Sequence, residues 1–403
     1  MRHSKEDEIL NGEIEYSNRT PKKRSKKPNK KNKKRKSPIK RFLLKLFLFA
    51  FFIFIVSSIL YLGFKGYVFK KLSTEMFNNS PSIIYDSNKN ILAKIGAERN
   101  RDNVKYEDIP ENLIDAYVSI EDKRYFSHHG VDVKRTGGAI FSYIIHRGNS
   151  SFGGSTITQQ LVKNLTGNDS NTASRKVKEW FYAWTLNFSF SKEKILESYL
   201  NIIYTGPNIY GVKEAALYYF NKDISELTLE ECAFFAGLNN SPNSYNPFTE
   251  KDRTEKITKR TKTVLYQMYN QGYISEDEYN TTVLQVEKGL NFSKGNIEEY
   301  SNINSYHSDA VINEIISDLQ NKYFITKDFA TNYFSLAGTS IYSTVNVNIQ
   351  SKVENEFKDS KYILQSSNGT DNSQSAMVII DPSTRKCSCM CWRSWRKKEF
   401  KKL

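Results

Sequence analysis

Leu46 to Phe64 is nineteen residues without a charge, and Phe42-Leu43-Leu44 extend the run before Lys45. That length matches a bilayer hydrocarbon core of about 30 Å, so the pattern predicts a membrane-spanning helix over 42–64. A cleavable signal would have a shorter apolar stretch and a small-residue cleavage site, and neither is evident. Further on, Ser82 to Ala97 is two β-rich runs around Asn88-Lys89-Asn90, which reads as a hairpin. Pro110 sits at a helix start, where its missing N–H costs nothing. From 111 to about 280 the pattern is mostly helical, broken by polar stretches near 148–154, 166–171, 205–211 and 239–247. Ser301 to Tyr306 reads as a linker. Thr339 to Val347 and Ser375 to Ile380 are strand-like, and there is no internal repeat.

Charge changes the picture mainly at the N-terminus. The 403 residues carry a net charge of +15, and residues 22–41 alone hold thirteen Lys or Arg and no acid. A basic run can be a nucleic-acid arm. Here it abuts the apolar segment, which favours a membrane role and puts residues 1–41 on the cytoplasmic side. That tail is polar, Lys-rich and expected to be disordered. Cys232 is the only Cys between the apolar segment and residue 386, so that region cannot close an internal disulfide. Cys387, Cys389 and Cys391 form C-x-C-x-C, which is not a usual zinc spacing.

Candidate chemistry gathers in four blocks. The first, Glu121-Asp122-Lys123-Arg124-Tyr125-Phe126-Ser127-His128-His129-Gly130, ends a helix with Leu113, Tyr117 and Ile120 on its apolar face. A carboxylate at a helix C-terminus beside apolar side chains suits a general base; taken alone, Glu121 reads better as an ordinary surface glutamate. The second begins Gly153-Gly154-Ser155-Thr156, where glycines allow close approach, hydroxyls cap the helix, and free N–H groups offer a phosphate site. Thr156, Gln160 and Lys163 share a face by i, i+4, i+7 spacing. Thr158-Gln159-Gln160 is poor core and unusual surface, which points to function. In the third, Arg175 and Lys176 lie four and three residues before Glu179 on one helical face. An exposed pair of that kind contributes only a few tenths of a kcal/mol. Val177, Phe181, Trp184 and Phe188 form the apolar stripe of that helix, so its charged face looks to solvent or to a cleft. In the fourth, Ser191 caps, Ile195, Tyr199 and Ile203 pack, Glu197 buttresses, and Asn201 either caps the helix end or reaches a ligand.

Together the blocks resemble the glycosyltransferase domain of class A penicillin-binding proteins. The family patterns E-D-x-x-F-x-x-H-x-G, G-x-S-T-I-T-Q-Q-L-x-K-N, R-K-x-x-E and I-L-E-x-Y-L-N all occur in order, with Tyr125 at the family's Phe. Gly237-Leu238-Asn239-Asn240-Ser241-Pro242, Tyr245-Asn246-Pro247 and Arg260 with Val264-Leu265 are similar to its later elements. The resemblance implies a mainly α, lysozyme-like glycosyltransferase domain after a single transmembrane helix, followed by the incomplete start of an α+β transpeptidase domain. It implies polymerisation of lipid II with inversion, in which Glu121 deprotonates the acceptor 4-hydroxyl. Ser155, Thr156, Gln159, Gln160, Lys163, Arg175 and Lys176 would bind substrate and pyrophosphate. Glu179 would orient the cations or hold a divalent ion, magnesium or manganese. Implied partners are lipid II, the growing glycan strand, the membrane and other cell-wall synthesis and division proteins, with no nucleic acid. The implied location is the cell membrane, single-pass, with the catalytic domain outside.

The expected organisation is a basic tail (1–41), an anchor (42–64), a glycosyltransferase domain (65–285), a linker (286–335), a transpeptidase start (336–384) and an aberrant tail (385–403). Leu336 to Val345 and Gln374 to Thr384 resemble the transpeptidase entry and its first core strand. S-x-x-K occurs at Ser394 but also at Ser37, Ser189, Ser191 and Ser383, and K-T-G is absent. No transpeptidase nucleophile is therefore assigned, and loss of the reading frame near residue 385 is expected. The rivals are a lysozyme-like or lytic glycan-cleaving enzyme, which needs no cation cluster for a pyrophosphate, and an inactive anchored remnant.

Overall fold

A computed structural model describes residues 38–96, 103–145, 154–170, 172–296, 305–358 and 375–393. The basic tail up to residue 37, Gly153, residues 301–304 of the linker and Ser394 lie outside the described residues. The chain divides into two compact units, 1–59 and 60–403. The first unit is described from residue 38 and is helical throughout; its Phe, Leu and Ile side chains are exposed all around the helix. An apolar surface on every face suits lipid rather than a soluble surface. The helix, α1 (Pro38–Met76), is the one described helix long and apolar enough to cross a membrane. It runs twelve residues past the expected end at Phe64. In the second unit its last turns bury Val68, Phe69, Leu72 and Met76 in the core, with Phe69 stacked on Tyr182 at 4.1 Å.

The second unit continues with β1 (Ser82–Tyr85) and β2 (Ile91–Ile95), antiparallel with Ser82 opposite Ile95. Asp86 makes the turn, accepting the N–H groups of Asn88 and Asn90 at 2.8 Å each. This is the hairpin read from the sequence. Helices follow: α2 (Glu111–Glu121), α3 (Val133–Ile145), α4 (Ile157–Thr166), α5 (Ala173–Ser189) and α6 (Lys192–Ile202). A small ribbon, β3 (Tyr204–Gly206) with β4 (Ile209–Tyr210), precedes α7 (Val212–Phe220), α8 (Leu229–Leu238), α9 (Pro242–Tyr245), α10 (Thr254–Asn270) and α11 (Glu276–Lys288). The sequence breaks at 166–171, 205–211 and 239–247 fall at these boundaries.

Two expectations differ from the structure. The segment 286–335, read as a linker, contains α12 (Tyr306–Tyr323) and most of α13 (Lys327–Leu336). Ser305 and Thr326 cap these helices, and Phe329, Ala330, Tyr333 and Phe334 are buried. The polar composition hid an amphipathic pair whose apolar side needs the rest of the unit. Next come β5 (Ser340–Tyr342), α14 (Val347–Lys358), β6 (Ser375–Ile380) and β7 (Cys387–Arg393). β5 joins β1 in parallel, Ile83 opposite Ser340, completing the sheet order β2-β1-β5. The segment read as an aberrant tail supplies β7, antiparallel to β6 with Met377 opposite Cys391. Cys389 and Cys391 are buried, behaving as small apolar side chains.

One apolar core runs from Val68 to Leu336. Each large side chain it removes from water contributes about 1.5–3 kcal/mol before entropy is counted. Within it α2 packs on α8 and α10, while α4 packs on α5, α6 and α13. Helix α5 departs from the sequence reading. Its buried residues are Glu179, Ala183 and Leu186, whereas Val177, Trp184 and Phe188 of the expected apolar stripe are exposed, Phe188 at 78%. The inward face of α5 carries Glu179 together with Ala183 and Leu186, and Val177, Trp184 and Phe188 are left outside.

Candidate active site

Helix α4 organises the site. Thr156 caps it: its Oγ1 accepts the Gln159 N–H at 3.1 Å and donates to the Gly130 carbonyl at 2.6 Å. Gln159 Oε1 accepts the Thr156 N–H at 3.0 Å, completing a capping box. Gly130 has φ +85, and a Cβ there would lie 2.4 Å from the Ala183 carbonyl, so this position requires glycine. At the other end Gly167 takes φ +66 and closes α4 on the Lys163 carbonyl.

Adjacent glutamines on α4 reach two different carboxylates. Gln160 Nε2 donates to Glu121 Oε2 at 2.7 Å. Gln159 is fully buried, and its Nε2 donates to Glu179 Oε1 at 2.9 Å. Thr158 is fully buried too, so the Thr-Gln-Gln run, read as poor core, sits largely in the core. Its amide polarity is tolerated because the Gln159 amide bonds at both ends.

Around Glu179 the third block closes up. Arg175 Nη1 bonds Glu179 Oε2, and Lys176 Nζ bonds Glu179 Oε1 and the Ser155 hydroxyl, the last at 2.6 Å. The pair predicted by helical spacing is thus real, but Glu179 is buried rather than part of a solvated face. Two cations meet one carboxylate, leaving the cluster a net positive charge. The side chain of Lys163 on α4 is exposed, and its ammonium makes no hydrogen bond or ion pair among the described residues. The second-block residues therefore separate: Ser155, Thr156 and Gln159 join the Glu179 side, Gln160 joins Glu121, and Lys163 stands at the surface. A divalent cation at Glu179 would share its carboxylate with two cations already bonded to it. Among the described residues no group of three His, Cys, Asp or Glu side chains suits a metal.

Glu121 ends α2, half-buried. Besides Gln160, its Oε1 accepts from Asn239 Nδ2 at 3.0 Å, and its backbone carbonyl accepts from Arg135. Tyr199, read from the sequence as a packing residue, is buried with its hydroxyl bonded to Gln160 Oε1 at 2.9 Å and Asn239 Nδ2 at 3.0 Å. Burial, with the Glu121 carboxylate nearby, pushes both Tyr117 and Tyr199 well above the ordinary phenol value, so both stay neutral. Asp122, unassigned from sequence, is wholly buried and anchors the scaffold, accepting the Ile157 N–H at 3.1 Å and His128 Nε2 at 2.9 Å. Tyr125, where the family pattern has Phe, satisfies its added hydroxyl on the Lys192 carbonyl at 2.7 Å. Asn201 clamps the backbone of Val104 through both amide atoms, and Glu197 accepts the Tyr106 N–H, so both support the wall and neither faces a ligand. Asn239 and Tyr199 were missed because their partners lie about forty or more residues away, and Asp122 because its bond to Ile157 spans 35 residues; only the quoted motifs around them marked the positions.

Helix α4 thus touches both a half-buried carboxylate set among neutral donors, on α2, and a carboxylate bonded to two cations, on α5, which is an arrangement suited to group transfer. Residues 88–269 match the family model described as Transglycosylase and form a transglycosylase domain. Over 344 residues the chain is 36% identical to penicillin-binding protein 1A of Clostridium botulinum, covering 82% of this chain and 41% of that protein. It is 36% identical to penicillin-binding protein 1A of Clostridium perfringens over 320 residues, covering 76% and 38%. A crystal structure of penicillin-binding protein 1A from Haemophilus influenzae is 24% identical, with a TM-score of 0.31 and coverage of 69% and 28%. The chain spans about two fifths of the length of the curated relatives it matches.

Proposed function

We propose that this chain polymerises lipid II into glycan strands, as a peptidoglycan glycosyltransferase of the class A penicillin-binding kind. Glu121 takes the proton from the 4-hydroxyl of the acceptor lipid II. The oxygen forms its bond to C1 of the lipid-linked strand with inversion, the C1–O bond to pyrophosphate breaks, and undecaprenyl pyrophosphate leaves. Lys163, Arg175 and Lys176 meet the pyrophosphate as its charge develops. Ser155, Thr156 and Gln159 hold the cluster in shape, Glu179 orients the two α5 cations, and Gln160 turns Glu121. No step passes through a metal.

The observation that supports this most is the division made by α4, with Gln160 on a carboxylate ringed by neutral donors and Gln159 on a carboxylate bonded to two cations. A proton acceptor and an anion site joined through one short helix is the pairing that transfer from a pyrophosphate needs. A glycan-cleaving enzyme has no use for the second half. In this reading residues 1–41 lie in the cytoplasm, α1 crosses the membrane, and the domain works outside. The exposed Val177, Trp184 and Phe188 of α5 then lie against the lipid surface from which the substrate is drawn. Other cell-wall synthesis and division proteins are the proposed partners.

The test incubates the purified, detergent-solubilised chain with labelled lipid II, with and without moenomycin. Moenomycin-sensitive polymer is expected. Fragments released from sacculi, with no polymer from lipid II, would overturn the reading in favour of the lytic one.

A further inference from the structure

We propose that Asn239 is a positioning residue that holds the Glu121 carboxylate turned for proton transfer. This rests on the reading of Glu121 as the base. Asn239 caps the C-terminus of α8, far in sequence from the four blocks, and its Nδ2 lies 3.0 Å from both Glu121 Oε1 and the Tyr199 hydroxyl. Gln160 closes the other side, through its Nε2 to Glu121 Oε2 at 2.7 Å and its Oε1 from Tyr199 at 2.9 Å. Glu121, Gln160, Tyr199 and Asn239 therefore form a closed ring of hydrogen bonds drawn from α2, α4, α6 and the end of α8.

One fact sets the direction of every bond in the ring: an ionised carboxylate only accepts. Both amides must then turn their NH2 groups to Glu121. Gln160 is left with its carbonyl oxygen facing away from the carboxylate, and the Tyr199 hydroxyl supplies the donor. The hydroxyl oxygen can then accept from Asn239, whose NH2 has two hydrogens for two acceptors. No position is left with two donors or two acceptors facing each other. A proton taken from the acceptor arrives at one of the two lone-pair sites that the amides leave free, so the bonds of the ring stay in place. The ring thus fixes one orientation of the base and leaves those two sites for the incoming hydroxyl. Asn239 contributes the second donor, without which Glu121 would turn about its last bond. The titratable and charged groups around the ring are Tyr117 and Asp122 from α2 and its end, Arg135 from α3, Tyr199 from α6, Cys232 from α8 and Arg260 from α10. Of these only Tyr199 bonds Asn239 directly, and its buried phenol stays neutral with or without that bond.

The test compares the full chain with Asn239→Ala and Asn239→Asp. In the first readout, glutamate is labelled at its side-chain carboxyl carbon and the Glu121 resonance is identified by its loss in Glu121→Gln. Its titration midpoint is expected to rise by about one pH unit in Asn239→Ala, because a donor to the charged form is gone. It should rise further in Asn239→Asp, where a second carboxylate faces the first. In the second readout, the acid limb of the polymerisation profile moves up by the same amount in Asn239→Ala, giving about a tenfold loss at acid pH that shrinks toward pH 8. An unchanged midpoint in both variants overturns the proposal. So does an unchanged limb with uniformly lowered activity, which marks a merely structural residue. If the wild-type chain makes no polymer, the base reading fails, and the carboxyl titration still decides whether Asn239 governs Glu121.

Discussion

Glu121 and Glu179 are both held by the same helix, yet they are compensated differently. Glu121 receives only neutral amide donors on its carboxylate, from Gln160 and Asn239. Glu179 receives a guanidinium, an ammonium and one amide. A carboxylate pressed against cations is a poor proton acceptor, because its charge is already spent on them. One held by neutral donors has no cation against it and loses its freedom to turn. A change of partner, rather than of residue type, divides the proposed base from the counter-charge.

The largest effect expected follows from removing the first carboxylate. Glu121→Gln should lower polymerisation by about 10³-fold, within the range of a lost general base, while the unfolding temperature moves by no more than a few degrees. Normal polymer from that variant breaks the comparison. Glu179→Gln should do the reverse in kind. It leaves Arg175 and Lys176 without their partner in a mostly buried site, costing about 2–3 kcal/mol of stability, visible as a lower melting temperature. If it lost activity alone, with stability unchanged, Glu179 would be closer to the chemistry than its partners imply.

Lys163 sharpens the anion half. It has no partner to strand, so Lys163→Ala should leave stability unchanged and raise KM about tenfold at low salt, with the difference shrinking as salt rises. The smallest effect comes from a third carboxylate, Asp115, on the same helix as Glu121. It has neither amide nor cation, and burial with Glu111 beside it pushes it up to about 6. Folding therefore takes up a proton between about pH 4 and 6, so stability falls as pH rises through that window. Asp115→Asn should stabilise the chain at pH 7.5 by about 1 kcal/mol after allowing for partial solvent exposure, with no gain below pH 4. Equal melting curves at both pH values would show that Asp115 is solvated like a surface acid.

Much of the site was legible where its chemistry is local. The Thr156 cap, the Arg175, Lys176 and Glu179 spacing, and the Asp86 turn each join residues within four positions, so periodicity alone indicates them. Helix α5 shows how local reasoning fails. Val177, Trp184 and Phe188 are apolar and correctly spaced for burial, yet they lie outside, because the inward face was already committed to α4. Segment 286–335 fails in the opposite sense: its polar composition hid α13, whose Asn332 donates to the Asn164 carbonyl at 3.0 Å and ties the end of α4 to a segment outside the transglycosylase match.

The sequence by itself determined the helical run over 111–280, the Thr156 cap, the apolar segment of α1 and the identity of the acids and cations. These depend on charge, side-chain shape and contacts one turn apart. Only the tertiary structure decided which glutamine met which glutamate, that Tyr199 and Asn239 would close a ring on Glu121, and which face of α5 would be buried. Those contacts join residues 20 to 118 positions apart. Their partners are chosen by the packing of whole helices, and no local pattern encodes that choice.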